Sequence, residues 1–233
     1  MKIGVNLINF GPSATPENLT RWVQVVEGLG YHSLLTSDHV VTTPDVQSRY
    51  PAPFYEPLST LGWLAAATTS LMIGTTVIIV PYRHPLEVAR AIANVDQLSG
   101  GRCILGVGVG WAKQEFQALG IPFNQRGAMT DEYLEAIKVA WTQDVASFAG
   151  RYVSFENVHT APRPRQMPGP PIWVGGASEA AMLRTIRLAD AWHPIRIKTP
   201  YFADQQVPEL RRLADTQGRP MPALCPRLRF EIT

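Results

Sequence analysis

Two adjacent residues that can exchange protons, Asp38 and His39, stand in the segment TSDHVV, where the apolar residues 33–35 end. Histidine has the unperturbed pKa nearest neutral pH, so it suits acid–base catalysis. Side chains alternate along a strand, so the two should point to opposite sides unless the strand has already ended. We therefore expect His39 to act as acid or base, and Asp38 to cap the following loop or brace the neighbouring strand.

The other histidines are weaker candidates. His32 precedes an apolar run and His159 lies in an irregular region, whereas His84 and His193 end apolar runs but are each followed by proline, which suits a turn equally well. No serine stands in a nucleophile elbow, and no group of His, Cys and Asp has the spacing of metal ligands. The sequence therefore argues against a hydrolase and against a metalloenzyme.

A glycine-rich segment, LGVGVGW, ends another apolar run. Gly106, Gly108 and Gly110 leave one face without side chains, so a flat ligand could approach the backbone closely there. The alternative is a bulged strand end. The pattern alone is a weak signal, because a dinucleotide-binding fingerprint needs glycines that open a helix after the first strand.

A second glycine segment, WVGGASEAAM, favours an anion site. Gly175 and Gly176 end an apolar run, and Ser178 begins a predicted helix whose free amides and dipole attract a phosphate. Ser178 could instead simply cap that helix. Arg126, ahead of another helix, could supply a cation to the same phosphate, although a lone arginine is more often a surface residue.

The composition fits one globular domain, residues 1–233. The chain is 45% hydrophobic and 17% charged with a formal net charge of +2, which gives no strong field for nucleic acid or an anionic membrane. Cys103 and Cys225 have neither metal-binding nor redox spacing, which indicates a reducing compartment. We see no signal peptide and no membrane-spanning apolar run, so we expect a cytoplasmic protein.

Strand and helix signals alternate along the chain. The alternation calls for a parallel sheet covered on both faces, and seven or eight strands favour a TIM (β/α)8 barrel without its final helix, whose active site lies at the carboxyl ends of the strands. Residues 145–157 read as a hairpin insertion, and its second arm could double as a barrel strand. We predict strands at residues 3–7, 33–37, 72–80, 103–107, 172–174, 191–195 and 228–232, and helices at 15–29, 58–69, 85–98, 130–142, 178–189 and 201–216.

Four segments together resemble the bacterial luciferase-like superfamily: TSDHVV, IGTTVIIVPYRHPLEVARAIANVDQLSGGRCILGVGVGWAKQEF, FNQRGAMTDEYLEAI and PPIWVGGASEAAMLRTIRLADAWHP. The likeness runs from the first residue to position 194 and is strongest to the oxidoreductases that use the deazaflavin coenzyme F420. It implies a TIM barrel with the cofactor ring over the carboxyl ends of the strands.

The resemblance also implies roles for single residues. It places a cis peptide bond at Thr76–Val77, behind the ring, and makes His39 the residue that contacts the ring and acts as acid or base. Asp38, Gly108 and Gly110 are expected to line the same cofactor site. The cofactor phosphate is expected at Arg126, Gly175, Gly176, Ala177 and Ser178.

Three departures from the family are visible. Val109 stands where the FMN luciferases have an arginine near the phosphate, and Trp111 stands where the sugar-phosphate dehydrogenases of the F420 branch have a glutamate. The superfamily normally continues through an eighth helix, whereas this sequence ends at Thr233. We therefore expect a barrel that is truncated at its C-terminus.

These features predict an oxidoreductase that transfers a hydride between F420 and a small organic substrate, with Trp111 and Trp192 as walls of the substrate pocket. The alternatives are an FMN-dependent luciferase-like monooxygenase and a non-catalytic flavin-binding protein. A sugar-phosphate isomerase is disfavoured, because no catalytic lysine or glutamate presents itself at a strand end. We expect a homodimer without nucleic acid or membrane partners.

Overall fold

The structure is a computed structural model that describes residues 1–195 and 197–228. Strands and helices alternate over most of this length, as predicted. The strands are β1 Gly4–Leu7, β2 Ser33–Thr36, β3 Met72–Thr75, β4 Ile78–Ile79, β5 Cys103–Gly108, β6 Ala146–Ala149, β7 Ser154–Val158, β8 Ile172–Gly175, β9 Ala191–His193 and β10 Ala223–Leu224. The helices are α1 Pro16–Gly28, α2 Pro44–Gln47, α3 Pro57–Ala67, α4 Pro85–Leu98, α5 Lys113–Ala118, α6 Arg126–Thr142, α7 Glu179–Leu188, α8 Thr199–Tyr201 and α9 Val207–Thr216.

A parallel sheet forms the centre of the molecule. Its strand order is β1-β2-β3-β5-β8-β9-β10, with β4 also paired to β5, and it curls into a half-barrel of the TIM type. Among the described residues no backbone pairing joins β10 to β1. With the side-chain amide of Asn6 in β1 oriented so that its oxygen faces the guanidinium of Arg227, which follows β10, this oxygen accepts hydrogen bonds that link the two edges.

Apolar side chains on the outer face of the sheet pack against the helices. Leu34, Ile73 and Leu105, from three neighbouring strands, are completely buried in this layer. Burial of each such side chain contributes roughly 1.5–3 kcal/mol. The helices begin where the sequence supplies caps: the hydroxyl of Thr15 accepts a hydrogen bond from the amide of Asn18 at the start of α1.

The predicted third strand, residues 72–80, is broken in the middle. β3 ends at Thr75, the peptide bond between Thr76 and Val77 is cis as the resemblance implies, and the chain resumes as β4. The residues Val80–Tyr82 then form a turn of 3-10 helix. This break brings Thr76 and Val77 to the carboxyl end of the sheet, where the candidate site residues lie.

Several predicted boundaries were wrong. The helix predicted from residue 130 begins at Arg126, and the short helices α2 and α5 were not predicted. The hairpin is present as β6 and β7, but β7 pairs with β6 in a separate two-stranded sheet and does not join the barrel. The last strand in the described part of the chain is β10; the strand predicted at residues 228–232 lies, apart from Leu228, outside the described residues.

Over the ranges that the structure describes, none of the helices combines the length and the apolar character needed to cross a bilayer.

Replacing Gly106 with alanine should destabilise the protein. The new Cβ would lie 1.9 Å from the backbone carbonyl oxygen of Thr75. Thr75 belongs to β3, which pairs with β5, so the two strands would have to move apart. We expect a loss of about 1–3 kcal/mol in the free energy of unfolding, measured by urea denaturation.

Gly62 is the matched control, because a Cβ at this position in α3 meets nothing within 4 Å. Gly62→Ala should stabilise the protein by roughly 0.5–1 kcal/mol, since alanine loses less backbone entropy in a helix. Equal unfolding free energies for the two variants would contradict the close approach at Gly106.

Candidate active site

His39 lies just beyond the carboxyl end of β2 and is only 6% exposed. Its Nδ1 atom is 2.6 Å from Oε2 of Glu115, a residue of α5 whose side chain is completely buried. Glu115 was not among the residues predicted from the sequence, and it lies in a helix rather than at a strand end. Ala112, Glu115 and Phe116 are all buried and share the helical spacing that could have revealed an inward-facing carboxylate.

The carboxylate of Glu115 is fully surrounded by donors. Oε1 accepts from the backbone amides of Val40 at 2.7 Å and Val41 at 3.1 Å, and Oε2 accepts from the hydroxyl of Tyr82 at 3.0 Å and lies within hydrogen-bond distance of Nδ1 of His39. Both oxygens of this buried carboxyl group therefore have hydrogen-bond partners. Burial, followed by the charge of Glu115, raises the pKa of Tyr82, so its hydroxyl stays protonated.

Three aromatic rings enclose the imidazole of His39. Its centroid lies 5.3 Å from that of Tyr50, 5.4 Å from that of Phe54 and 5.8 Å from that of Trp111, the last two with edge-to-face geometry. Trp111 is 37% exposed, and the guanidinium of Arg49 lies 4.4 Å from its ring centroid. Nε2 of His39 has no hydrogen-bond partner among the described residues, so it is the nitrogen available to a ligand.

Asp38 braces the neighbouring strand, as predicted. Its carboxylate accepts from the amide of Ile79 in β4 at 2.7 Å and from two guanidinium nitrogens of Arg83 at 2.9 Å each. Arg83 also donates to Glu56 at 2.9 Å. Burial alone would lower the pKa of Arg83, but the hydrogen bonds and charges of Asp38 and Glu56 outweigh burial and raise that pKa. Both oxygens of the Asp38 carboxylate are thus occupied by protein groups.

A second buried histidine, His193, lies at the end of β9. Its Nδ1 is 2.5 Å from the carbonyl oxygen of Cys225, which requires the hydrogen on Nδ1, and its Nε2 is 2.9 Å from the hydroxyl of Thr76. Burial lowers the pKa of His193 to about 4, so the ring is neutral at physiological pH. Thr76 is thereby held from across the half-barrel by a neutral imidazole.

The glycines at the end of β5 and just after it make room for protein atoms, and their role towards a ligand stays a prediction. A Cβ on Gly106 would meet the backbone of Thr75, and a Cβ on Gly108 would lie 2.6 Å from the side chain of Val77. A Cβ on Gly110 would meet Ile79 and Phe116. The glycines therefore let the segment after β3 pack tightly on β5.

Val77 covers the glycine-rich strand ends. Its side chain also lies 3.0 Å from the Cβ position of Gly175 in β8, and Val77 is partly exposed within the otherwise buried residues 73–80. The surface that a flat ligand would meet at this part of the barrel mouth is the valine side chain and the backbone around it.

The predicted anion site is at the exposed start of α7. Gly175 ends β8, Gly176 has a φ of +101°, and Ala177 and Ser178 are exposed. The hydroxyl of Ser178 accepts from the amide of Ala181 at 3.3 Å, so this serine caps the helix. Binding of an anion by the backbone amides next to this cap stays a prediction.

Arg126 begins α6 and is held by the protein. Its Nε donates to the carbonyl of Gly110 at 3.2 Å, and one terminal nitrogen donates to the carbonyl of Phe123 at 2.8 Å. The start of α6 lies beside α7, because Arg184 of α7 donates to the carbonyl of Gly127 at 3.1 Å. The two halves of the predicted phosphate site are therefore on neighbouring helices.

Trp192 does not wall a pocket, contrary to the prediction. It is completely buried in a cluster with α7 and α9, and its indole nitrogen donates to the carbonyl of Gly176 at 2.8 Å. Residues alternate sides along β9, so Trp192 points outward while His193 points inward. Trp173, half-buried with its ring 5.7 Å from that of His193, occupies the inner position.

Two cavities lie away from this site. One, of about 430 Å³, is lined by the hairpin residues Phe148 and Phe155, and one of about 270 Å³ lies between α1 and α3 at Trp63. Neither is lined by a histidine or by a convergent set of ionisable groups.

Comparison with known proteins adds a family assignment to this geometry. The family model described as luciferase-like monooxygenase matches residues 1–232. An uncharacterized protein of Mycobacterium tuberculosis is 30% identical over 221 residues, which are 89% of this chain and 76% of that protein. The FMNH(2)-dependent dimethylsulfone monooxygenase of Pseudomonas putida is 34% identical over 158 residues, which are 66% of this chain and 43% of that enzyme.

A solved structure shares the fold. An F420-dependent secondary alcohol dehydrogenase in complex with an F420-acetone adduct superposes with a TM-score of 0.83 and 18% identity, over 97% of this chain and 68% of that one. F420-dependent oxidoreductases and flavin-dependent monooxygenases thus both stand among the similar proteins.

The buried ring of His193 should make stability depend on pH. Its pKa is about 4 in the folded protein and near the ordinary 6.5 when unfolded, so between these values only the unfolded chain binds the proton. The free energy of unfolding should therefore fall as the pH drops from 6.5 towards 4, by up to about 3 kcal/mol. Urea denaturation of the wild type and of His193→Gln at pH 7.5, 6 and 5 measures the difference between the two slopes.

His159 provides the control, because it is exposed. His159→Gln should keep the wild-type dependence on pH, whereas His193→Gln should flatten it. A wild-type slope that survives in His193→Gln would show that other groups cause the acid sensitivity.

Proposed function

Because the chain belongs to the luciferase-like monooxygenase family, we propose that it is an oxidoreductase that transfers a hydride between coenzyme F420 and a small organic substrate. The observation that carries the proposal is the imidazole of His39 at the mouth of the half-barrel. Its Nδ1 is bound to a buried carboxylate and its Nε2 has no partner among the described residues. A residue held in this way is suited to exchange one proton with a bound molecule.

The residues present fit a flat cofactor with a phosphate. Val77 offers a partly exposed apolar surface at the mouth, supported from below by Gly108 and Gly175. The amides of Ala177 and Ser178, at the start of a ten-residue helix, are exposed as a phosphate site requires. When bound, F420 would accept or donate a hydride, since its ring has a carbon in place of the flavin N5 and favours two-electron transfer.

His39 would handle the proton that accompanies the hydride. When an alcohol is oxidised, the carbon loses a hydride to the cofactor and the hydroxyl loses its proton, which Nε2 of His39 would accept; in the reverse direction it would return that proton. Tyr50, Phe54 and Trp111 would keep water away from the imidazole and form one wall of the substrate site.

An FMN-dependent monooxygenase is the second candidate. The 34% identity to the Pseudomonas putida monooxygenase over 158 residues supports it. Assays without oxygen separate the two functions, because a deazaflavin dehydrogenase continues to turn over whereas a monooxygenase stops. A non-catalytic flavin-binding protein would bind the ring and turn over nothing.

Cofactor titration tests the proposal directly. F420 and FMN are added separately to the purified protein, and binding is followed through the change in cofactor absorbance and by calorimetry. We expect F420 to bind in the micromolar range or more tightly, and its binding to weaken in Val77→Asp, because the carboxylate would place a charge against the ring. Submicromolar binding of FMN with none of F420 would replace the proposed cofactor.

Replacing His39 with alanine should lower turnover of F420 with a panel of primary and secondary alcohols. We expect kcat to fall by roughly 10²–10⁴-fold, the usual contribution of a general acid–base group, while the Kd for F420 changes little. His84→Ala is the control, because His84 is an exposed cap of α4. Undiminished turnover in His39→Ala would remove His39 from the mechanism.

A further inference from the structure

We propose that Glu115 is a positioning residue that fixes the tautomer of His39: it holds the hydrogen on Nδ1 and so leaves Nε2 as the atom that exchanges the proton. The catalytic meaning of this inference rests on the function proposed above. The tautomer itself is a property of the protein alone and can be measured without cofactor or substrate.

The contacts of Glu115 show what each of its oxygens faces. Oε1 faces two backbone amides, those of Val40 and Val41, which can only donate. Oε2 faces the hydroxyl of Tyr82 and Nδ1 of His39. With Glu115 as an acceptor at both oxygens, the contact of 2.6 Å places a hydrogen on Nδ1. The neutral imidazole then has its lone pair on Nε2.

The surroundings of the ring prevent the alternative orientation. If the imidazole were turned over, a carbon atom would face the buried carboxyl group, which would lose one of its hydrogen-bond partners. Phe54 and Trp111 contact the ring with edge-to-face geometry, and Tyr50 lies at 5.3 Å. These contacts hold the imidazole in the plane in which Nδ1 meets Glu115.

The same carboxylate fixes the backbone that carries His39. Val40 and Val41 directly follow the histidine, and the amide of Gln114, the neighbour of Glu115, donates to Asp45 of α2 at 3.3 Å. Helix α5 thus holds both the imidazole and the start of the loop that brings the aromatic residues over it. Glu115 has no exposed surface, so it acts through His39 and does not touch a substrate.

Glu115→Gln should invert the tautomer at nearly constant shape. The two amides of Val40 and Val41 require an acceptor, so the new amide must keep its oxygen at the Oε1 position. Its NH2 group is then placed opposite Nδ1 of His39, where it can only donate. Nδ1 must become an acceptor, and the hydrogen moves to Nε2.

Nuclear magnetic resonance of protein labelled with ring-¹⁵N histidine reads the tautomer directly. Spectra of the apoprotein are recorded at alkaline pH, where the ring is neutral, and the His39 signals are assigned by their loss in His39→Gln. We expect a hydrogen on Nδ1 in the wild type and on Nε2 in Glu115→Gln. The same tautomer in both proteins, or a hydrogen on Nε2 in the wild type, would overturn the proposal.

Glu132→Gln is the matched control. Glu132 also accepts from three backbone amides, those of Arg151, Tyr152 and Val153, but no imidazole contacts it. Its replacement should leave the His39 signals unchanged. Should Glu115→Gln fail to fold, the spectra of the wild type and of Tyr82→Phe test the proposal. Tyr82→Phe removes one donor from Oε2 of Glu115 but keeps the contact with His39, so the hydrogen should remain on Nδ1.

Turnover with F420 and alcohols links the tautomer to catalysis. Glu115→Gln should lower kcat by roughly 10²–10⁴-fold, because an Nε2 that carries a hydrogen cannot accept the substrate proton, and should leave the Kd for F420 within about threefold. An inverted tautomer with unchanged kcat would refute the positioning role. Absence of F420 turnover in the wild type would count against the proposed function and leave the tautomer result standing.

Discussion

The hydrogen bonds that converge on the buried carboxylate of Glu115 hold the site together. They join α5 to the end of β2, to the backbone of Val40 and Val41, and to Tyr82 after β4. Without these partners the oxygens of Glu115 would be buried and unsatisfied, which is costly for a polar group. The orientation of His39, the start of the aromatic loop and the docking of α5 therefore depend on one another.

A second constraint is the close approach of the segment after β3 to the glycines of β5. Gly106 accommodates the carbonyl of Thr75, and Gly108 accommodates the side chain of Val77. Two further contacts hold this segment from either side: Asp38 binds the amide of Ile79, and His193 binds the hydroxyl of Thr76. The half-barrel mouth thus has an apolar surface at Val77 between His39 and the exposed start of α7, an arrangement that suits the proposed cofactor, a flat ring with a phosphate.

Buried polar groups at the mouth are costly unless they are paired, and here they are. Arg83 is neutralised by Asp38 and Glu56, and His193 remains uncharged between the carbonyl of Cys225 and the hydroxyl of Thr76. Within the part of the chain that the structure describes, the contact of Asn6 with Arg227, rather than backbone pairing, links β1 to the segment after β10. The site side chains are therefore fixed by side-chain pairs that cross between strands.

The sequence by itself determined the alternation of strands and helices, the position of His39 at a strand end and the bracing role of Asp38, because these depend on residues close together in the chain. Its likeness to a family located the cis bond at Thr76–Val77. The tertiary structure decided the rest. Glu115 meets His39 across 76 positions of sequence, Val77 fills the space over the glycines, and Trp192 is buried outside the barrel. Such contacts depend on strand register and on how a short helix docks, which local periodicity does not encode.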